Sequence, residues 1–195
     1  MTTTEDTRGR IVIAALKRYL MFGIKKTSME DVAAEAGLTR VTIYRYFPDK
    51  KNLVRASFMG FVEVLQQLHG EMVDLPEMDM ERVLDRLVEE FVSFPRGDLR
   101  LAQHELSRLY PDVWRSYQQM RAEALDKIFE PLFAKAERRG LLRPGIQRQV
   151  MQVYLLNALI DTLQEPTSLG LKASQEEVHK TIKLIFLNGI FRERR

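Results

Sequence analysis

The stretch that most limits what this chain can become is 27–53, TSMEDVAAEAGLTRVTIYRYFPDKKNL, which spells two short helices, a tight turn between them and the start of a third. Hydroxyls at Thr27 and Ser28 open the first helix. Each is followed three residues later by an acid, Glu30 and Asp31, the spacing of a capping box. That helix runs through Val32, Ala33 and Ala36 and stops at Gly37, the residue best suited to a left-handed C-terminal turn. Leu38 fills the turn, Thr39 is placed to cap a second helix over 40–47, and Pro48 closes it. Two short helices joined by three or four residues containing glycine make the helix-turn-helix pattern, whose second helix enters the DNA major groove. The residues therefore point to DNA binding.

Charge supports this weakly. Residues 1–55 carry 11 Lys and Arg against 6 Asp and Glu, a net of +5, while the other 140 carry 19 against 21. A basic first third on a mildly acidic body suggests one end for a polyanion and another for something else. The chain of 195 residues can bury a real core and has no cysteine, which excludes disulfides, thiolate metal sites and cysteine nucleophiles together. Its first residues are polar and no apolar run approaches the roughly 18 residues of a membrane span, so a soluble, cytoplasmic protein is expected.

Apolar spacing predicts helices throughout. Residues 1–6 read as a frayed arm. The run 8–22 forms an amphipathic helix whose Ile11, Ala15 and Phe22 brace Val32, Ala36 and Ile43. Asp49 caps a helix over 50–72 that is apolar on most sides and must touch several neighbours. Helices follow over 78–94, 98–109, 110–139, 147–163 and 174–191, with broad apolar stripes on the last two. No strand alternation and no internal repeat appears. The expected fold is all-α with about nine helices, a DNA-binding domain over 1–52 and a larger helical domain over 53–195.

The quoted motif, Thr27 to Thr39 followed by Thr42-Ile43-Tyr44-Arg45-Tyr46-Phe47-Pro48-Asp49-Lys50-Lys51-Asn52-Leu53, resembles the N-terminal signature of the TetR (tetracycline-repressor-like) family of bacterial transcriptional regulators. The resemblance covers about residues 8–55. Beyond it the chain matches in helix count, spacing and the turn over 139–144. Val41 departs from the family, where many members carry a smaller residue. The resemblance implies roles for individual positions. Thr27 and Ser28 would hold a phosphate at a helix N-terminus. Arg40 and Val41 would meet base edges, Arg pairing with guanine and Val packing on a thymine methyl. Thr42, Tyr44, Tyr46 and Lys50 would grip the backbone, and Arg45 would do either.

The resemblance also implies a homodimer joined through the last two helices, with Val150, Val153, Leu156, Leu159, Ile160, Ile182, Ile185, Phe186 and Ile190 at the interface. Such a dimer binds a pseudo-palindromic operator. The middle helices would enclose a pocket for a small-molecule effector, lined by Phe61, Phe91, Phe94, Tyr110, Trp114, Tyr117, Phe129 and Tyr154. The implied function is a ligand-responsive regulator, a repressor released by its effector. The alternative is a ligand- or partner-binding helical protein on the same scaffold without operator-specific DNA binding.

Catalysis finds no support in the residues. His69, His104 and His179 lie far apart with no metal-ligand spacing, and His104-Glu105 reads as surface helix. No GxSxG elbow, phosphate-cradling glycine loop or dinucleotide fingerprint occurs. No metal and no cofactor is expected.

Overall fold

The computed structural model describes residues 3–73, 80–93, 95–140, 142–161, 170 and 172–190. Among these the backbone forms nine helices and no β-strand. They are α1 (Thr3–Phe22), α2 (Met29–Ala36), α3 (Arg40–Tyr46), α4 (Lys50–Val73), α5 (Met80–Ser93), α6 (Leu99–Leu109), α7 (Pro111–Arg138), α8 (Arg148–Asp161) and α9 (Gln175–Ile190). The fold is all-α, and no described helix is long and apolar enough to cross a membrane. The chain divides into two compact units, Met1–Glu63 with Pro95–Arg121 and Val64–Phe94 with Ala122–Arg195.

The core of the first unit is built on α1, where Ile11, Ala15 and Tyr19 are fully buried beside Leu20 and the following Ile24. Val32, Ala33 and Ala36 of α2 and Ile43 of α3 are buried with them, as are Leu53 and Phe58 of α4 and Leu106 of α6. Each large aliphatic side chain removed from water here stabilises the unit by about 1.5–3 kcal/mol. Tyr117 of α7 meets Phe58 edge to face, ring centroids 5.6 Å apart.

Two expectations for α1 need correction. It begins at Thr3 rather than at Arg8, since a helix anchored by the buried turns from Ile11 onward extends backward at one hydrogen bond per residue. Phe22 does not join the core. It is 42% exposed, and the Arg18 guanidinium covers its ring at 4.1 Å. Tyr19, three residues earlier, holds the buried place instead.

Short links fasten the rest of the unit to α1. The Asp98 amide donates to the Leu20 carbonyl at 2.9 Å. Gly97 permits that approach: at φ +152° it lies so close that a Cβ would sit 2.6 Å from the Leu20 oxygen. Lys51 and Arg55 of α4 converge on Asp112 in the first turn of α7, at 3.0 and 3.1 Å. The Lys51 hydrogen bond holds the Asp112 carboxyl below the ordinary carboxylate range.

In the second unit Val83, Leu84 and Leu87 of α5 are buried, with Leu125, Ile128 and Phe133 of α7 and Leu155 of α8. Phe129 stacks on Phe133 at 5.9 Å. Pro131 sits inside α7 without ending it, although proline costs an interior helix a hydrogen bond. Lys183 of α9 reaches Asp85 and Glu81 of α5 at 2.7 and 3.4 Å, and Arg148 of α8 pairs with Glu130 and Glu137 of α7. Ser174 and Glu177 close a capping box on α9, each accepting the other's amide. A groove of about 640 Å³ opens between α5 and α9, lined by Glu81, Asp85 and Lys183 among others. His179 lies beside it, 8% exposed, and burial pushes its imidazole below the usual range.

Two outcomes follow. Gly97→Ala should destabilise the first unit by about 1–3 kcal/mol, seen as a lower denaturation midpoint, because φ and space both oppose a Cβ there. His179, depressed in the folded chain, contributes stability that is complete above its unfolded pKa of about 6.5 and is lost as pH falls through the folded value. In thermal melts from pH 8 to pH 5, His179→Leu should flatten that part of the slope.

Candidate nucleic-acid interface

Local chemistry sets the α2–turn–α3 geometry. Ser28 is the N-cap of α2: its hydroxyl accepts the Asp31 amide at 3.1 Å, and the Asp31 carboxylate accepts the Ser28 amide at 2.7 Å. This reciprocal bonding holds the Asp31 carboxyl below its ordinary value. At the other end Gly37, at φ +64°, donates to the Ala34 carbonyl, and Leu38 donates to that of Ala33. These two bonds define a Schellman motif. Arg10 of α1 donates to the Ala36 carbonyl at 2.9 Å and satisfies a third orphan acceptor. Thr39 caps α3 by accepting the Thr42 amide at 3.2 Å, and Ile43, fully buried, anchors it.

With Ile43 inward, α3 presents Arg40, Val41, Tyr44 and Arg45 outward. Val41 is 72% exposed, far more than a valine with only a packing role would be. The Arg40 Nε bonds Glu30 of α2 at 2.9 Å, and its guanidinium lies 5.3 Å from the Tyr44 ring centroid. Arg45 is exposed and has no ion-pair partner among the described residues. Thr42 and Tyr46 are half-buried, and the Thr42 hydroxyl shares a 2.9 Å hydrogen bond with that of Thr39.

Two predicted phosphate ligands are placed differently from the expectation. The Thr27 side chain is 1% exposed, and its hydroxyl donates to the Gly23 carbonyl at 2.8 Å. It ties the end of α1 to the turn and leaves capping to Ser28. The Lys50 ammonium donates to the Ile24 carbonyl at 2.6 Å, and desolvation lowers its pKa. It braces the start of α4 against the same turn. Both side chains face the backbone that precedes α2, where a half-buried environment makes such bonds strong.

Sequence reasoning missed Glu105. This α6 carboxylate accepts the Lys25 amide at 2.9 Å, and a Cβ added to Gly23 would sit 2.7 Å from its oxygen. The contact joins residues 80 apart in sequence, so no local pattern could have marked Glu105 out from surface helix. Glu30 was seen only as the acid of a cap, and its pairing with Arg40 needed the angle between α2 and α3.

The other predicted sites divide as follows. Phe61 and Tyr117 are core residues of the first unit, where Tyr110 and Trp114 are half-buried. In the second unit Phe129 is core. Tyr154 is 78% exposed, because α8 turns it outward with Val150 and Val153, 65% and 60% exposed. Ile185 of α9 is 68% exposed, Ile182 is half-buried, and Phe186 is buried. Phe94 and the side chains of Phe91, Leu156, Leu159, Ile160 and Ile190 lie outside the described residues. Among the described residues no group of three His, Cys, Asp or Glu is arranged to hold a metal ion.

Residues 11–57 match the family model described as bacterial regulatory proteins, tetR family. The chain is 30% identical over 148 residues to the probable HTH-type transcriptional regulator ArpR of Pseudomonas putida, covering 72% of this chain and 70% of that one. Its fold resembles the solved structure of the ketosteroid transcriptional regulator KstR2 of Mycobacterium tuberculosis, with a TM-score of 0.73 at 20% identity and 99% and 98% of the two chains covered. It also resembles NalD, the secondary repressor of the MexAB-OprM multidrug efflux pump in Pseudomonas aeruginosa, with a TM-score of 0.63 at 22% identity and 98% of each chain covered. With a capped helix-turn-helix inside the matched segment and a full-length likeness of fold, the chain belongs to the TetR family of bacterial transcriptional regulators.

Proposed function

We propose that the protein is a repressor that binds a pseudo-palindromic operator as a homodimer and is released by a small-molecule effector. The observation that carries this is the outward face of α3, where Arg40, Val41, Tyr44 and Arg45 stand exposed on a helix fixed by buried Ile43. An exposed Arg and Val at the start of a recognition helix suit a guanine edge and a thymine methyl. Tyr44, Tyr46, Thr42 and the Ser28 helix end suit phosphates, which position without specifying. Thr27 and Lys50 support this surface from behind. Residues 1–52 then act as the DNA-binding domain and 53–195 as the effector-binding and dimerisation domain. Repression is supported by the relative KstR2, named a transcriptional repressor, at 23% identity over 150 residues.

Dimerisation through α8 and α9 is supported by Val150, Val153, Tyr154 and Ile185, apolar or aromatic side chains left exposed on those two helices. A patch of this kind on a folded chain marks an interaction surface. Two reading helices on a two-fold axis would meet half-sites about one DNA turn, roughly 34–36 Å, apart. Effector release is a population shift, and it requires the ligand to bind the DNA-incompetent state more tightly.

Arg40→Ala should lower affinity for the operator by roughly 1–3 kcal/mol and relax the preference at one base pair of each half-site. Selection from a random DNA library checks this, and an unchanged selected sequence would refute the assignment. On a sizing column at micromolar concentration the protein should elute as a dimer, and Val153→Glu with Ile185→Glu should shift it to monomer. A wild-type monomer under those conditions would remove the proposed interface.

A further inference from the structure

The only ion pair that links the two helices of the helix-turn-helix among the described residues is Glu30 to Arg40. Nothing about stability asks for it. Both side chains are more than half exposed, 52% and 64%, and exposed pairs of this kind contribute little to folding. Their geometry is specific nonetheless. Glu30 Oε1 takes the Nε of Arg40 at 2.9 Å, which is the side edge of the guanidinium. The end edge, formed by the two terminal nitrogens, is the one that reads guanine O6 and N7 as a fork. A carboxylate on Nε leaves that end edge free. Tyr44, one turn further along α3, lies 5.3 Å below the guanidinium and limits its swing on the other side. Glu30 is itself held, because it lies in the first turn of α2, where the helix dipole favours an anion.

A carboxylate on a DNA-facing surface also has a cost, since it repels phosphates of any sequence. We propose that Glu30 is a positioning residue for base recognition: it orients Arg40 before contact and thereby exchanges general DNA affinity for discrimination. This rests on the assignment of Arg40 to a base edge. Ordering a long side chain in the free protein removes an entropic cost that binding would otherwise carry, and only the correctly placed base collects the benefit. Scrambled DNA meets the repulsion alone.

The test measures dissociation constants for a duplex carrying the sequence that wild type selects from a random DNA library and for a scrambled duplex of equal length at one salt concentration. It uses wild type, Glu30→Ala, Glu30→Gln, Arg40→Ala and the Glu30→Ala/Arg40→Ala double variant, with melting temperatures as a folding control. Glu30→Ala should bind the scrambled duplex roughly threefold tighter, having lost a like charge. Its operator-to-scrambled affinity ratio should nevertheless fall roughly fivefold or more, because Arg40 has lost its orientation. Glu30→Gln loses the charge but keeps an acceptor for Nε, so it should gain the same general affinity and retain most of the ratio. In the Arg40→Ala background, Glu30→Ala should leave the ratio unchanged. If Glu30→Ala tightens both duplexes equally in wild type, Glu30 is only a repulsive charge and the proposal fails. If Arg40→Ala itself leaves the ratio unchanged, the base-reading assignment fails first and the positioning role goes with it.

Discussion

Helices of eight and seven residues, such as α2 and α3, do not persist in water by themselves. Everything the first unit does depends on how their deficits are met. One deficit is apolar burial, which α1 meets with Ile11, Ala15 and Tyr19. The other is the set of backbone donors and acceptors at four helix ends, which cannot go unpaired without several separate costs. Ser28, Asp31, Gly37, Arg10 and Thr39 meet several of these through identifiable bonds. Because the helices are held at their ends and on one face, the opposite face of α3 is free of structural duty. That freedom leaves Arg40, Val41, Tyr44 and Arg45 exposed to solvent.

Legibility in the sequence tracked the distance over which a residue acts. The Ser28–Asp31 box, the Gly37 exit and the Thr39 cap are three- to five-residue events, and each was readable from its own neighbourhood. Helix extents were readable to within a few residues from apolar spacing. What spacing alone misjudged was which way a side chain would face. The resemblance assigned Thr27 and Lys50 to phosphates, and both side chains bond the backbone at 23–24. Phe22 looked like core because it was aromatic at the end of an apolar run, but the helix had already turned it outward. Glu105 could not have been found at all, since its partner lies on a distant part of the chain.

A similar division appears in the second unit. Its buried stripes on α5 and α7 follow from periodicity, whereas the outward position of Tyr154 follows from how α8 rotates about Met151 and Leu155, which are buried. An aromatic residue in a helical stripe is ambiguous between core, ligand wall and contact surface until that rotation is known. Rotation of α8 leaves Tyr154 outward, beside Val150 and Val153. The charged groove between α5 and α9 was invisible for a different reason: Lys183 and Asp85 stand 98 positions apart.

The Glu105 contact has a bearing on how such a regulator could be rebuilt. A DNA-reading segment is easily pictured as a cassette, to be cut at residue 52 and exchanged for that of another family member. Here the packed body that holds the segment includes Pro95–Arg121 as well. Removing residues 1–52 alone would part the Lys25 amide from Glu105, the Leu20 carbonyl from Asp98 and Lys51 from Asp112. An incoming segment would need glycine at position 23, an unencumbered amide at 25 and a cation at 51 to be accepted by the α6 and α7 surfaces left behind. Compatibility between segment and host is thus written in three positions outside α3.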